Sequence, residues 1–207
     1  MKTASTSIEG YFEPYCTDED PWVLNHARQD YESPAGIVGH RGETPVGSCT
    51  IKWYSHLSAK TIKLGIPNDT WSTYFKFCVI RNPYDRIVSM FYWERYLQQI
   101  PLEDDVPSQF QRWVEQHKSL SDAYIYTLDG ELAVDKFIRY EHLQDDLMEV
   151  CGILDIPYEP NILSTFKSGC RPLEATCEAI YTKRAKALVR NASLFEIYKL
   201  GYEFPKS

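Results

Sequence analysis

Short apolar runs, separated by charge, proline and glycine, divide the chain into alternating strand-like and helix-like pieces. Phe77 to Ile80 is an apolar run flanked by Lys76 and Arg81, the pattern of a buried strand. Asn82-Pro83 breaks it, and Pro83 suits the first turn of a following helix. Ile87, Val88, Phe91 and Tyr92 then fall on one helical face. Val134 to Tyr140 predicts a second buried strand. It is followed by Leu143, Leu147, Val150, Cys151 and Leu154 at helical spacing that stops before Pro157. Weaker patterns predict that Glu9 to Tyr15 continues a helix opened by the N-terminal residues around Ile8 and ending near Pro14, and that a second helix runs from Ser55 to Leu64, capped by Ser55 or Ser58 and closed by Gly65. A short helix is marked by Phe110, Trp113 and Val114, and a hairpin or loop turns at Asp129-Gly130. Ala175 to Tyr198 reads as helical with a break near Asn191. Residues 16–50, the acidic Ile100 to Pro107 and Pro160 to Pro172 read as loops. Strands separated by helices predict one three-layer α/β domain over residues 1–207 with a mainly parallel central sheet.

Composition narrows the function. At 207 residues, 43% of them hydrophobic, the chain can bury a substantial core. The net charge of −7 disfavours broad attachment to nucleic acid or to a membrane surface, while leaving room for a local basic pocket. It also argues against a long polyanion as substrate. The six cysteines show neither a Cys-x-x-Cys pair nor a zinc-ligand spacing, so no metal site is expected. Cys170 and Cys177 could bridge in an oxidising compartment or stay reduced. Neither a signal peptide nor a membrane span is visible.

Two segments carry chemistry. At the start of the chain, Lys2 is followed by Thr3, Ala4, Ser5, Thr6 and Ser7, and then by the apolar Ile8. Small residues let the backbone bend so that several N–H groups face one anion, and the lysine and hydroxyls add donors. The alternative is a flexible polar terminus. In the second segment, Arg81 stands at the carboxyl end of the first predicted strand and Ser89 two turns into the next helix. That edge is where open α/β sheets bind ligands, and a guanidinium fork with a hydroxyl suits phosphate oxygens. The alternative is a structural pair between Arg81 and Asp85.

Together these segments resemble the sulfotransferases that use PAPS (3′-phosphoadenosine 5′-phosphosulfate). Lys-Thr-Ala-Ser-Thr-Ser resembles their 5′-phosphosulfate loop, and Val-Ile-Arg-Asn-Pro-Tyr-Asp-Arg-Ile-Val-Ser resembles their 3′-phosphate motif. The nearest branch is carbohydrate-type, with the uronyl 2-O-sulfotransferases and their bacterial relatives. Phe137-Ile-Arg-Tyr-Glu-His-Leu143 and Leu200-Gly-Tyr-Glu-Phe204 agree with it.

The resemblance implies a three-layer, P-loop-like sulfotransferase fold and PAPS as co-substrate, without a metal. Lys2 would stabilise the leaving oxygen, residues 3–7 would hold the 5′-phosphosulfate, and Arg81 and Ser89 the 3′-phosphate. Lys167 and Arg171, on a late loop, would close over the nucleotide. A histidine would serve as general base toward a hydroxyl acceptor, most simply a carbohydrate. His56 is the first candidate and His40, in Gly-His-Arg-Gly, the second. In that family a hydrophobic strand precedes the phosphosulfate loop, whereas only Met1 precedes Lys2 here. The expectation is therefore a trimmed chain or a strand supplied otherwise. A bacterial or viral cytoplasmic enzyme fits best, with the Golgi lumen as the alternative if an anchor has been lost. Two rival readings stand beside this one. A nucleotide phosphotransferase is opposed by the absence of a glycine-rich Gly-Lys-Ser/Thr loop, and a non-catalytic relative would keep nucleotide binding.

Overall fold

The computed structural model describes residues 2–19, 21–25, 27–42, 51–163 and 169–205. In chain order its elements are α1 (Ser5–Phe12), β1 (Tyr31–Ser33), β2 (Gly36–Val38), α2 (Ala59–Gly65), α3 (Asn68–Thr73), β3 (Phe77–Ile80) and α4 (Pro83–Gln98). There follow α5 (Val106–Gln116), α6 (Ala123–Tyr126), β4 (Thr127–Leu128), β5 (Glu131–Leu132), β6 (Lys136–Arg139), α7 (Leu143–Ile153), α8 (Cys177–Ile180), α9 (Lys183–Ala192) and α10 (Leu194–Tyr198). The fold is mixed α/β.

β3 and β6 are the two apolar runs of the sequence, and they pair in parallel with Phe77 opposite Lys136 and Ile80 opposite Arg139. Strand side chains alternate between faces. Phe77, Val79 and Ile138 pack with Ile8 and Tyr11 of α1 and Leu147, Val150 and Cys151 of α7. Cys78, Ile80 and Phe137 pack the other way, with Tyr126, Phe195 and Tyr202. A third cluster sits behind the sheet, where Tyr84, Ile87, Val88 and Phe91 of α4 meet Phe110 and Val114 of α5, and Ala185 and Val189 of α9. Asn82 caps α4, its side chain accepting from the Tyr84 N–H at 3.1 Å, with Pro83 in the first turn.

Among the described residues β3 is hydrogen-bonded to β6 alone. Its other side lines an apolar cavity of about 500 Å³, walled by all four β3 residues together with Ile8, Phe12, Val38, Trp53 and Tyr126.

The motifs flanking the strands hold the sheet edge together. Glu141 accepts from the Asn82 N–H at 2.6 Å and from the Tyr202 hydroxyl at 3.1 Å. Arg139 donates to the Leu200 carbonyl at 2.9 Å, and the Asn82 amide to the Glu203 carbonyl at 2.7 Å. The Tyr-Glu-His and Gly-Tyr-Glu-Phe segments thus fasten the C-terminus to the ends of β3 and β6.

Several boundaries differ from expectation. α1, expected to open from the loop near Ile8 and run to Tyr15, begins at Ser5 and ends at Phe12, where a 3₁₀ turn from Glu13 to Cys16 takes up Pro14. α2 begins at Ala59 with Ser58 as its cap, the Ser58 hydroxyl accepting from the Thr61 N–H at 3.1 Å, so Ser55 and His56 lie before the helix. The stretch predicted from Ala175 to Tyr198 is three short helices, interrupted at Tyr181-Thr182 and at Ser193. Within residues 16–50, β1 and β2 form a hairpin. The turn at Asp129-Gly130 joins β4 to β5 with both residues at positive φ, 52° and 85°, the backbone demanded by a tight two-residue hairpin.

Candidate active site

The carboxyl ends of β3 and β6 are neighbours by register, so the residues that follow them, Arg81 and Tyr140, meet there. The Arg81 guanidinium carbon lies 4.0 Å from the centre of the Tyr140 ring. The N-terminal segment arrives at the same edge, its Lys2 carbonyl accepting from Arg81 Nη1 at 3.0 Å. Lys2 and Ala4 are both left-handed, at φ 62° and 64°, and this double bend opens α1 without a capping side chain. The Ala4 carbonyl accepts from the N–H groups of Ser7 and Ile8 at 3.0 and 3.1 Å. A helix start without a side-chain cap and without an acid in its first turn offers amides and a positive dipole end to an anion.

A cleft of about 610 Å³ opens above this edge. Ten of the residues singled out from the sequence line it: Lys2, Thr3, Ala4, Ser5, Thr6, Ser7, His56, Arg81, Ser89 and Arg171. Ser89 is 8% exposed, on the face of α4 that also presents Trp93 and Leu97 to the cleft. The Lys2 ammonium lies 4.7 Å from the centre of the Trp93 ring. Lys167 lies outside the described residues.

His40 is not in this cleft. It is 5% exposed on the wall of the neighbouring apolar cavity, where its two ring nitrogens find no hydrogen-bond partner among the described residues. His56 lines both spaces, at a φ of 64°, and the Ser55 hydroxyl donates to the His40 carbonyl at 2.7 Å. Of the two candidate bases, His56 lines the cleft and His40 lines only the neighbouring cavity.

The arginine–acid pair considered from the sequence is present too. Arg81 donates to Asp85 Oδ2 from Nε at 2.6 Å and from Nη2 at 2.5 Å, and Arg171 Nη1 donates to Asp85 Oδ1 at 2.5 Å. Burial opposes the charge on Asp85, but the Arg81 and Arg171 guanidiniums outweigh it and hold the carboxyl below its ordinary range. Arg86 points away from the cleft and pairs with Asp122 at 3.0 Å.

Sequence reasoning missed Trp93, Leu97 and Tyr140. The first two follow Ser89 at helical spacings, so the face of α4 could have supplied them. Tyr140 could be placed only with the β3–β6 register. Cys16, Cys78, Cys151 and Cys177 are free thiols. Among the described residues no cluster of three or more His, Cys, Asp or Glu is placed to hold a metal ion, and no helix is long and apolar enough to cross a membrane.

The chemistry of the cleft is that of an anion site, with cations from three distant segments and an open helix start on one edge. Neither the curated proteins nor the solved structures compared with the chain yield a match. A family model does match, over residues 1–203, which takes in the N-terminal loop, the Arg81 segment and the C-terminal clasp: the chain belongs to the sulfotransferase family, enzymes that transfer a sulfuryl group.

Proposed function

We propose that the chain transfers a sulfuryl group from PAPS to a hydroxyl, most simply that of a carbohydrate. The observation that carries this reading is the meeting, in one cleft, of the Lys2–Ser7 loop with Arg81 and Ser89. The loop suits a 5′-phosphosulfate because its bends and α1's open start collect amides beside an ammonium. Arg81 and Ser89 suit a 3′-phosphate, as a guanidinium and a hydroxyl on one wall. This reading takes the β3–β6 pair, covered by α1 and α7 on one face and by α6 and the C-terminal segment on the other, as the centre of a three-layer, P-loop-like domain.

In the reaction the acceptor oxygen bonds to sulfur as the bond from sulfur to the nucleotide's phosphate oxygen breaks. Negative charge grows on that leaving oxygen, and in this reading Lys2 is the cation that meets it. The acceptor proton passes to a histidine. His56 is the better base because it lines the cleft itself, while His40 stands one wall away. Lys167 and Arg171 complete the nucleotide site in this reading.

Transfer of labelled sulfur from PAPS to a panel of sugars and simple alcohols tests the reaction. At least one hydroxyl acceptor is expected to be sulfated. Lys2→Ala should lower kcat by about 10²–10³, and His56→Ala by about 10²–10⁴. Binding of the nucleotide without transfer to any acceptor would favour the second reading, a non-catalytic relative that retains the nucleotide site.

A further inference from the structure

We propose that Asp85 is a positioning residue that joins Arg81 and Arg171 into a single clamp for the nucleotide's 3′-phosphate; the inference rests on the PAPS reading above. The two arginines come from unrelated parts of the chain. Arg81 leaves the end of β3, and Arg171 stands on the loop before α8. Asp85 lies one turn into α4, and each of its carboxylate oxygens serves one partner. Oδ2 takes Arg81 Nε and Nη2, and Oδ1 takes Arg171 Nη1.

Each guanidinium is also fixed on a second side. Arg81 Nη1 donates to the Lys2 carbonyl and the plane rests on Tyr140. Arg171 Nε donates to the Ala175 carbonyl at 2.8 Å. A guanidinium carries five N–H groups, so both keep donors for a second anion after these bonds are made. Both also line the cleft that Ser89 enters.

Two guanidiniums brought together repel, and the carboxylate between them offsets that repulsion while leaving the trio one positive charge in excess. Asp85 is itself set by α4, whose first turn is capped by Asn82 and packed into the core. It thereby transmits a rigid position to Arg171, whose own segment contains no regular element from Leu163 to Thr176 among the described residues. A carboxylate beside a phosphate site could instead oppose the ligand by repulsion. The two roles predict opposite signs, which makes the assignment testable.

The experiment is calorimetric titration of PAP (the desulfated nucleotide) and of AMP, which lacks the 3′-phosphate, into the full chain and its variants. Wild type is expected to bind PAP more tightly than AMP. Asp85→Asn should lower PAP affinity by about tenfold or more, as expected when one member of a partly buried, hydrogen-bonded charge pair is removed. AMP affinity should stay within about twofold, since AMP does not reach the clamp. Asp85→Glu, which keeps the charge, should recover part of the loss. Arg171→Gln, on a loop outside the core, should reproduce the PAP-specific loss, and the double variant should lose less than the product of the two single effects.

Unchanged or tighter PAP binding by Asp85→Asn would overturn the proposal, as would equal loss of PAP and AMP in both Asp85→Asn and Arg171→Gln. A wild type that binds PAP no better than AMP would sink the PAPS reading itself, and that outcome is separable because it needs no variant.

Discussion

Charge placement at single residues decides what this cleft can hold. Lys2, Arg81 and Arg171 gather on one wall of a chain whose net charge is −7, so the local sign is opposite to the overall one. Asp85 keeps its charge through neutral pH because the two arginines stabilise it. With its carboxyl held low, its contribution to stability is complete above the ordinary aspartate value of about 3.9. That contribution is given up only as pH falls below this value toward the depressed one. Cysteines are tuned the other way. Burial pushes the Cys78 thiol up to about 12 and the Cys177 thiol up to about 11. At pH 8 the Cys78 thiolate fraction is therefore on the order of one in ten thousand, and thiolate is the reactive form. Mass spectrometry of the native protein after iodoacetamide treatment should find Cys78, Cys177 and the fully buried Cys151 modified after Cys170. Early labelling of Cys78 would mean that the β3 layer opens readily.

Among the elements, β3, α4, β6 and α7 were legible in the sequence because their signals are local. A short apolar run ended by Asn-Pro, and a 3.6-residue period ended before Pro157, need no distant partner to be read. The start of α1 was hidden, since its first turn is built of Ser and Thr, which favour caps over helix interiors. What begins the helix there is a left-handed Ala4, invisible to propensity. His56 was likewise read into a helix that Ser58 opens two residues later. The cleft was legible in its residue types but not in its wiring. Asp85 and Arg171 stand 86 residues apart, and only tertiary packing brings them together.

α4 contributes more buried residues to the helical core than any other helix and positions Asp85, Ser89 and Trp93. Its Phe91 is fully buried, with ring contacts to Phe110 and Trp113 at 5.3 and 5.6 Å between centroids. Phe91→Ala should cost about 3–5 kcal/mol in denaturant-unfolding free energy. A loss under about 1 kcal/mol, well below the usual range for such a deletion, would mean that the α4–α5–α9 cluster is not what fixes the helix.

At the scale of the whole molecule, the site is a junction. The N-terminal loop, the ends of β3 and β6, the face of α4 and the loop before α8 meet at the carboxyl edge of one parallel pair. The C-terminal segment ties that edge from behind through Glu141, Arg139 and Asn82. The apolar cavity beside β3 shares Thr3, Ser5, His56 and Arg81 with the cleft, so the packing of the sheet edge and the geometry of the site are linked. The sequence led to the anion chemistry, while the joining of separate segments into one clamp came from the fold. The central claim, that this junction is a nucleotide site organised by Arg81, is tested most directly by calorimetric titration of PAP into wild type and Arg81→Ala. Saturable binding by wild type is expected, with a loss on the order of 100-fold in the variant. Equal affinity in the two proteins, or no binding by a folded wild type, would contradict it.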